Sequence, residues 1–161
     1  MSGEADGTGG IPHAVSLAST AQSALDAAVR AFAADTGTLH FIGSDGQLHL
    51  AALHGELPPP VLAQVRIIPV GKGMAGVCAE LNEPVTWCNL NRDNSGVVQP
   101  SARSTGLAGS IVVPVRDGSA RDGGVMVGTL GIANRGERTF TDAETATLMA
   151  CAASLARFRA R

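Results

Sequence analysis

The chain is 161 residues long, 45% hydrophobic, 16% charged and 3% aromatic, with a formal charge of -2. That length suits one compact domain able to bury roughly 70% of its unfolded surface in a single core. The near-neutral balance and scarce aromatic rings argue against a nucleic-acid binder, which needs a basic face and stacking platforms; only Arg157, Arg159 and Arg161 cluster positive charge.

Met1 to Pro12 is Gly-rich and carries Glu4 and Asp6 where a secretory leader carries positive charge and then an apolar run. It is expected to be a disordered segment rather than a signal peptide, leaving 13–161 as the domain. The most apolar stretches, such as Ile67 to Val70 and Ser110 to Val115, fall far short of the roughly 20 residues that cross a bilayer, so no membrane partner is expected. Three cysteines separated by 10 and 63 residues make neither a paired disulfide framework nor a CxxC knuckle, which points to a reducing, cytoplasmic setting.

Leu17, Ala21, Ala24, Leu25, Ala28, Val29 and Phe32 recur at three and four, so one amphipathic helix is predicted from Val15 to Ala34. Asp35-Thr36-Gly37 breaks it. Thr38 to Ile42 and Leu48 to Leu53 are strand-like runs around Asp45-Gly46, a hairpin signal. A two-residue turn there places Ile42 opposite His49, Phe41 opposite Leu50 and His40 opposite Ala51. His40 and His49 then share one face, and Leu39, Phe41, Leu48, Leu50 and Ala52 the other, the face to be packed on helices.

Val61 to Val65 reads as a short helix or turn, Arg66 to Val70 as a strand, and Met74 to Leu81 as a short helix with Met74, Cys78 and Leu81 on one stripe. Val85 to Leu90 is a further strand. Asn91 to Gly109 has no periodicity, and so long a loop in a compact domain has a binding or lid role. Ser110 to Val115 and Val125 to Asn134 are the last strands. Thr141 and Glu144 form the capping box of a final helix whose buried stripe is Leu148, Cys151, Leu155 and Phe158. The order describes an α+β domain with a mostly antiparallel sheet and both terminal helices on one face.

Gly71-Lys72-Gly73-Met74-Ala75-Gly76, Glu83-Pro84-Val85, Gly109 to Val115, Gly128 to Asn134 and Phe140 to Glu144 together resemble the successive motifs of a GAF domain. The resemblance runs from about Leu17 to Leu155. It implies a central antiparallel sheet, helices on one side, a small-molecule pocket on the other, a sensing or signalling role, and a homodimer paired through the terminal helices.

In such a fold the long loop, the Gly-Lys-Gly helix start and the histidine face converge above the sheet. The helix beginning near Gly73 exposes unpaired N–H groups at Met74 and Ala75, and Lys72 adds charge, which together favour a small anion or carboxylate. The alternative is that Gly73 and Gly76 only permit a tight entry, with Lys72 in solvent. Asp93, Asn94, Ser95, Arg103 and Ser104 of the loop are candidate ligand contacts, and Cys88 alternates with Trp87 so that one of the two faces the pocket. Trp87 is core or pocket wall. His13 and His54 read as surface, Cys151 as core.

Two enzyme readings stand beside the sensor. His40, His49 and Cys88, with Cys78 near, make a nitrogen and sulfur set of the type that holds zinc or copper, although no metal is favoured. Gly76-Val77-Cys78 resembles the cysteine motif of free methionine-(R)-sulfoxide reductases, GAF-fold enzymes in which a thiolate attacks the sulfoxide and a second cysteine resolves the product. Cys88 is the substitute partner, because Ile68 and Ser101-Ala102-Arg103 stand where that branch has its other cysteines and Ser110 where it has a glutamate. The favoured expectation is a stand-alone sensory domain that binds a small molecule without catalysis, with no cofactor specified. A partner-binding module with an empty pocket is the third reading.

Overall fold

A computed structural model describes residues 10–88, 105–118 and 124–159. Two helices, α1 (Gly10–Ser16) and α2 (Ala21–Ala31), stand where one was expected, and α1 takes in the end of the segment read as disordered. Thr20 makes the break. Its hydroxyl accepts the Ser23 N–H at 3.0 Å and the Ser23 hydroxyl accepts the Thr20 N–H at 3.2 Å, a capping box that starts α2 afresh. Leu17 is left outside the buried stripe, 71% exposed.

The sheet has six strands, β1 (Thr36–Ile42), β2 (Leu48–His54), β3 (Ile67–Ile68), β4 (Val85–Trp87), β5 (Gly109–Asp117) and β6 (Val125–Asn134), in the order β3-β2-β1-β6-β5-β4. Every neighbouring pair is antiparallel. Helices α1, α2 and α5 (Asp142–Leu155) cover one face. There Leu25, Val29, Leu39, Ile111, Val113, Leu130, Ile132, Leu148, Cys151 and Leu155 form a core with 1% exposure or less. The terminal helix starts as the sequence requires, Thr141 Oγ1 accepting from Glu144 N–H and Glu144 Oε1 from Thr141 N–H, each at 3.0 Å.

The hairpin register differs from the expected one by a single residue. Gly43 N–H donates to the Gln47 carbonyl at 2.8 Å, so the connection runs from Gly43 to Gln47 instead of closing at Asp45-Gly46. Ile42 pairs with Leu48, Phe41 with His49 and His40 with Leu50, and an irregularity after Leu39 restores Leu39 opposite Ala52. A slip of one residue moves every side chain to the other face. His40 and His49 therefore lie on opposite faces, and Leu48 and Leu50 join His40 instead of the helix-covered side.

Other departures are local. Leu81 is 54% exposed rather than on the stripe of Cys78, because Asn82 in the left-handed region ends α4 (Gly73–Leu81) just beyond it. His54 is half-buried, its Nδ1 2.8 Å from Asp26 Oδ1 of α2. Strand β4 stops at Trp87, which leaves Cys88 exposed at its end.

Candidate functional site

On the face away from α1, α2 and α5, alternation along β1 presents Thr36, Thr38 and His40. Their cross-strand partners on β6 are Ala133, Gly131 and Thr129, which in turn face Ser110, Val112 and Pro114 on β5. Small and β-branched side chains at these positions leave a shallow floor. Helices α3 (Pro59–Val65) and α4 stand over it, and the space between them is a cavity of about 480 Å³, within the usual span of ligand pockets.

The wall is mostly apolar, with Leu57, Val61, Ile68, Met74 and Leu107 among its residues. Leu107, Ala133, Leu57, Met74 and Trp87 pack together at one end of it. Trp87 pairs with Ser110 and so lies on the cavity face, supporting the apolar cluster from the sheet edge. Polar groups enter at Thr36, Thr38, His40, Gln64, Thr105 and Ser110, and Lys72 is the one charged side chain among the described residues of the wall.

The start of α4 is shaped by backbone contacts. Lys72 N–H donates to the Pro69 carbonyl at 3.2 Å and Gly71 N–H to the Gly76 carbonyl at 2.8 Å. A Cβ on Gly76 would stand 2.4 Å from the Pro69 carbonyl oxygen, so only glycine permits this close fold. Lys72 is the N-cap and offers no side-chain bond to the helix. The N–H groups of Gly73, Met74 and Ala75 precede the first intrahelical bond, from Gly76 N–H to the Lys72 carbonyl. All three residues and Lys72 line the cavity.

His40 is the polar residue deepest in this wall, 1% exposed. Its Nε2 lies 2.7 Å from the Val65 carbonyl at the end of α3. A carbonyl only accepts, so Nε2 carries the proton and Nδ1 presents a lone pair. Nδ1 is the one buried side-chain nitrogen or oxygen with no hydrogen-bond partner among the described residues. Desolvation lowers the pKa of the ring, with the Val65 bond opposing, and the neutral form is favoured.

The remaining candidates divide. Lys72, Gly73, Met74 and His40 line the cavity; Cys78 and Cys88 are not among its wall residues. Asp93, Asn94, Ser95, Arg103 and Ser104 lie outside the described residues, while Thr105 and Leu107, from the end of the same loop, reach the wall. Thr36, Thr38 and Ser110 also line the cavity, and Thr36, Thr38 and His40 stand at a spacing of two, the signal of a shared strand face.

The metal set does not assemble. His49 points its Nε2 at Asp45, 2.9 Å away, on the face opposite His40, and β1 and β4 are separated by three strand spacings, roughly 14 Å. Among the described residues no three His, Cys, Asp or Glu side chains gather as a metal-binding group. Cys78 is fully buried, and burial pushes its thiol up to about 12, Arg116 only partly opposing. A nucleophilic thiolate needs the reverse shift.

A family model described as GAF domain matches residues 14–158. Among solved structures, the GAF domain of an Acinetobacter phosphoenolpyruvate-protein phosphotransferase is similar at 19% identity and a TM-score of 0.72, over 98% of this chain and 93% of that one. The corresponding domain from Coxiella burnetii gives 22% identity and a TM-score of 0.70, over 95% and 90%. A free methionine-R-sulfoxide reductase from Neisseria meningitidis, solved with its substrate, gives 20% and 0.69, over 94% and 85%. At these identities the likeness is one of fold. No curated protein matches the sequence.

Proposed function

This chain belongs to the GAF domain family, and from that premise we propose that it is a small-molecule-binding sensory domain that works without catalysis. The observation that carries the reading is the cavity of about 480 Å³, walled by α3, α4 and the sheet. Its wall combines an apolar body with few polar groups, the usual composition of a ligand pocket. The N–H groups of Gly73, Met74 and Ala75, which precede the first intrahelical bond of α4, and the Lys72 side chain add polar groups to it.

Reductase chemistry gains no support from the residues. Cys78 is buried with a raised pKa, and Cys88 is exposed outside the cavity wall. The likeness to the Neisseria enzyme extends to the fold alone. The signal would pass to a partner or a second copy of the chain, and the three free cysteines fit the proposed cytoplasmic setting.

The test is a thermal-shift screen of the purified protein against metabolite classes, paired with native mass spectrometry of whatever co-purifies. A ligand present near 100 times its Kd raises stability by about 2.7 kcal/mol, readily seen as a shift in Tm. A stoichiometric adduct or a saturable shift supports the reading. Neither appearing in any class contradicts it and favours a partner-binding module.

A further inference from the structure

We propose that the cavity takes an uncharged aliphatic molecule, an amide, lactone or alcohol, whose polar group is met by the hydroxyls of Thr36 and Thr38 on the floor. The inference rests on the cavity being the ligand site and goes on to name the ligand's chemical class.

Two independent observations point to it. The first is the position of two open hydroxyls. Thr38 lies opposite Gly131, and a Cβ on Gly131 would stand 3.2 Å from Thr38 Oγ1 and 3.3 Å from Val112 Cγ2. The Thr38 hydroxyl thus borders the bare strip of floor that glycine leaves between β1 and β5, and all three residues line the cavity. Thr36 lies opposite Ala133, the next small residue of that strip. Neither hydroxyl has a hydrogen-bond partner among the described residues, and neither oxygen is sealed from solvent as His40 Nδ1 is. Each can donate or accept, so a carbonyl, an amide or a hydroxyl is met equally.

The second observation is charge. Asp, Glu and Arg are missing from the described residues of the wall, and Lys72, its one cation, is exposed to solvent. Desolvation favours the neutral form of His40. An ionised group carried to the floor loses its water without meeting an opposite charge, whereas a neutral polar group keeps a hydrogen bond at the threonines. Phe and Trp are also missing from the described wall, so a flat ring has no stacking partner, and Val61, Ile68 and Met74 suit an aliphatic body.

The experiment titrates the full-length protein with a matched series of about six carbons, read by the methyl resonances of Ile68, Met74 and Val112. Hexanamide, γ-hexalactone and hexan-1-ol are the neutral members, hexanoate and hexylammonium the ions, and hexane the member with no polar group. At least one neutral member is expected to bind about tenfold or more tightly than either ion. Thr36→Val combined with Thr38→Val keeps both β-branched side chains on their strand and removes only the hydroxyls. That variant should lose about fivefold or more in affinity for the neutral polar member, while hexane binds it as well as before or better. Either ion binding as tightly as the neutral members would overturn the inference and leave the pocket reading standing. Hexane matching the polar members, or their preference surviving in the double variant, would do the same. If no member moves the wall methyls, both readings fall.

Discussion

His40 and Val65 are joined across the cavity wall, the ring Nε2–H donating to the carbonyl at 2.7 Å and tying β1 to the end of α3. His40→Leu leaves the Val65 carbonyl without its donor, at a cost of about 1 kcal/mol or more. Urea denaturation should read that loss, and hydrogen exchange should show α3 opening more readily than α5.

The same ring predicts a pH dependence. Desolvation holds the folded pKa of His40 below its ordinary 6.5, aided by the charge on His49 and opposed by the Val65 bond. Below the unfolded value the unfolded chain takes up a proton that the folded chain refuses. Stability contributed by His40 is thus complete above pH 6.5 and falls as pH drops toward the folded pKa, by at most about 1.4 kcal/mol per pH unit. Asp26, Asp45 and Glu144 have depressed pKa values and act only at lower pH. Between pH 6.5 and 5, stability should therefore fall more steeply in the unmodified protein than in His40→Leu; equal slopes would contradict the assignment.

Cys78 and Cys151 are fully buried, with thiols pushed to about 12 and about 11 by desolvation. Iodoacetamide at pH 8 should label exposed Cys88 first and reach the other two only in denaturant, as read by peptide mass spectrometry. Rapid labelling of Cys78 in the native protein would revive the thiol mechanism.

Gly76→Ala puts a methyl group 2.4 Å from the Pro69 carbonyl oxygen, closer than real contacts allow. The turn into α4 must shift, at roughly 1–3 kcal/mol. Ligand affinity should fall with it, because the N–H groups of Gly73, Met74 and Ala75 move. Gly46→Ala, with open space around its Cβ and a φ of +77°, should cost stability without altering affinity.

The order of elements and the terminal capping box were legible because both depend on local spacing, as at Thr141 and Glu144. The hairpin register was not. Asp45-Gly46 signals a turn, but whether two or three residues lie within it depends on the Gly43 to Gln47 bond, and that one-residue difference decides which face His49 takes. The cavity was only half legible for the same reason. Lys72, Gly73 and Met74 are adjacent in sequence and announce a helix start, whereas Val65 meets His40 across 25 residues, a pairing set by packing of α3 over the sheet. The split between α1 and α2 was readable in Ser19-Thr20 and was overridden by the periodicity around it.

Thr38 points from β1 into the cavity at a half-buried position. Thr38→Phe should fill the space with little loss of stability, since an aromatic ring suits a strand, and should abolish ligand binding.

The cavity itself is tested most directly by methyl NMR of the protein with each small molecule that raises its Tm. Ile68, Met74 and Val112 of the wall and Leu25 and Leu130 of the helix-side core serve as reporters. Saturable shifts at the wall methyls with the core methyls unmoved are the predicted result. Binders that leave Ile68, Met74 and Val112 unchanged would place the ligand elsewhere and contradict the cavity as the sensory site.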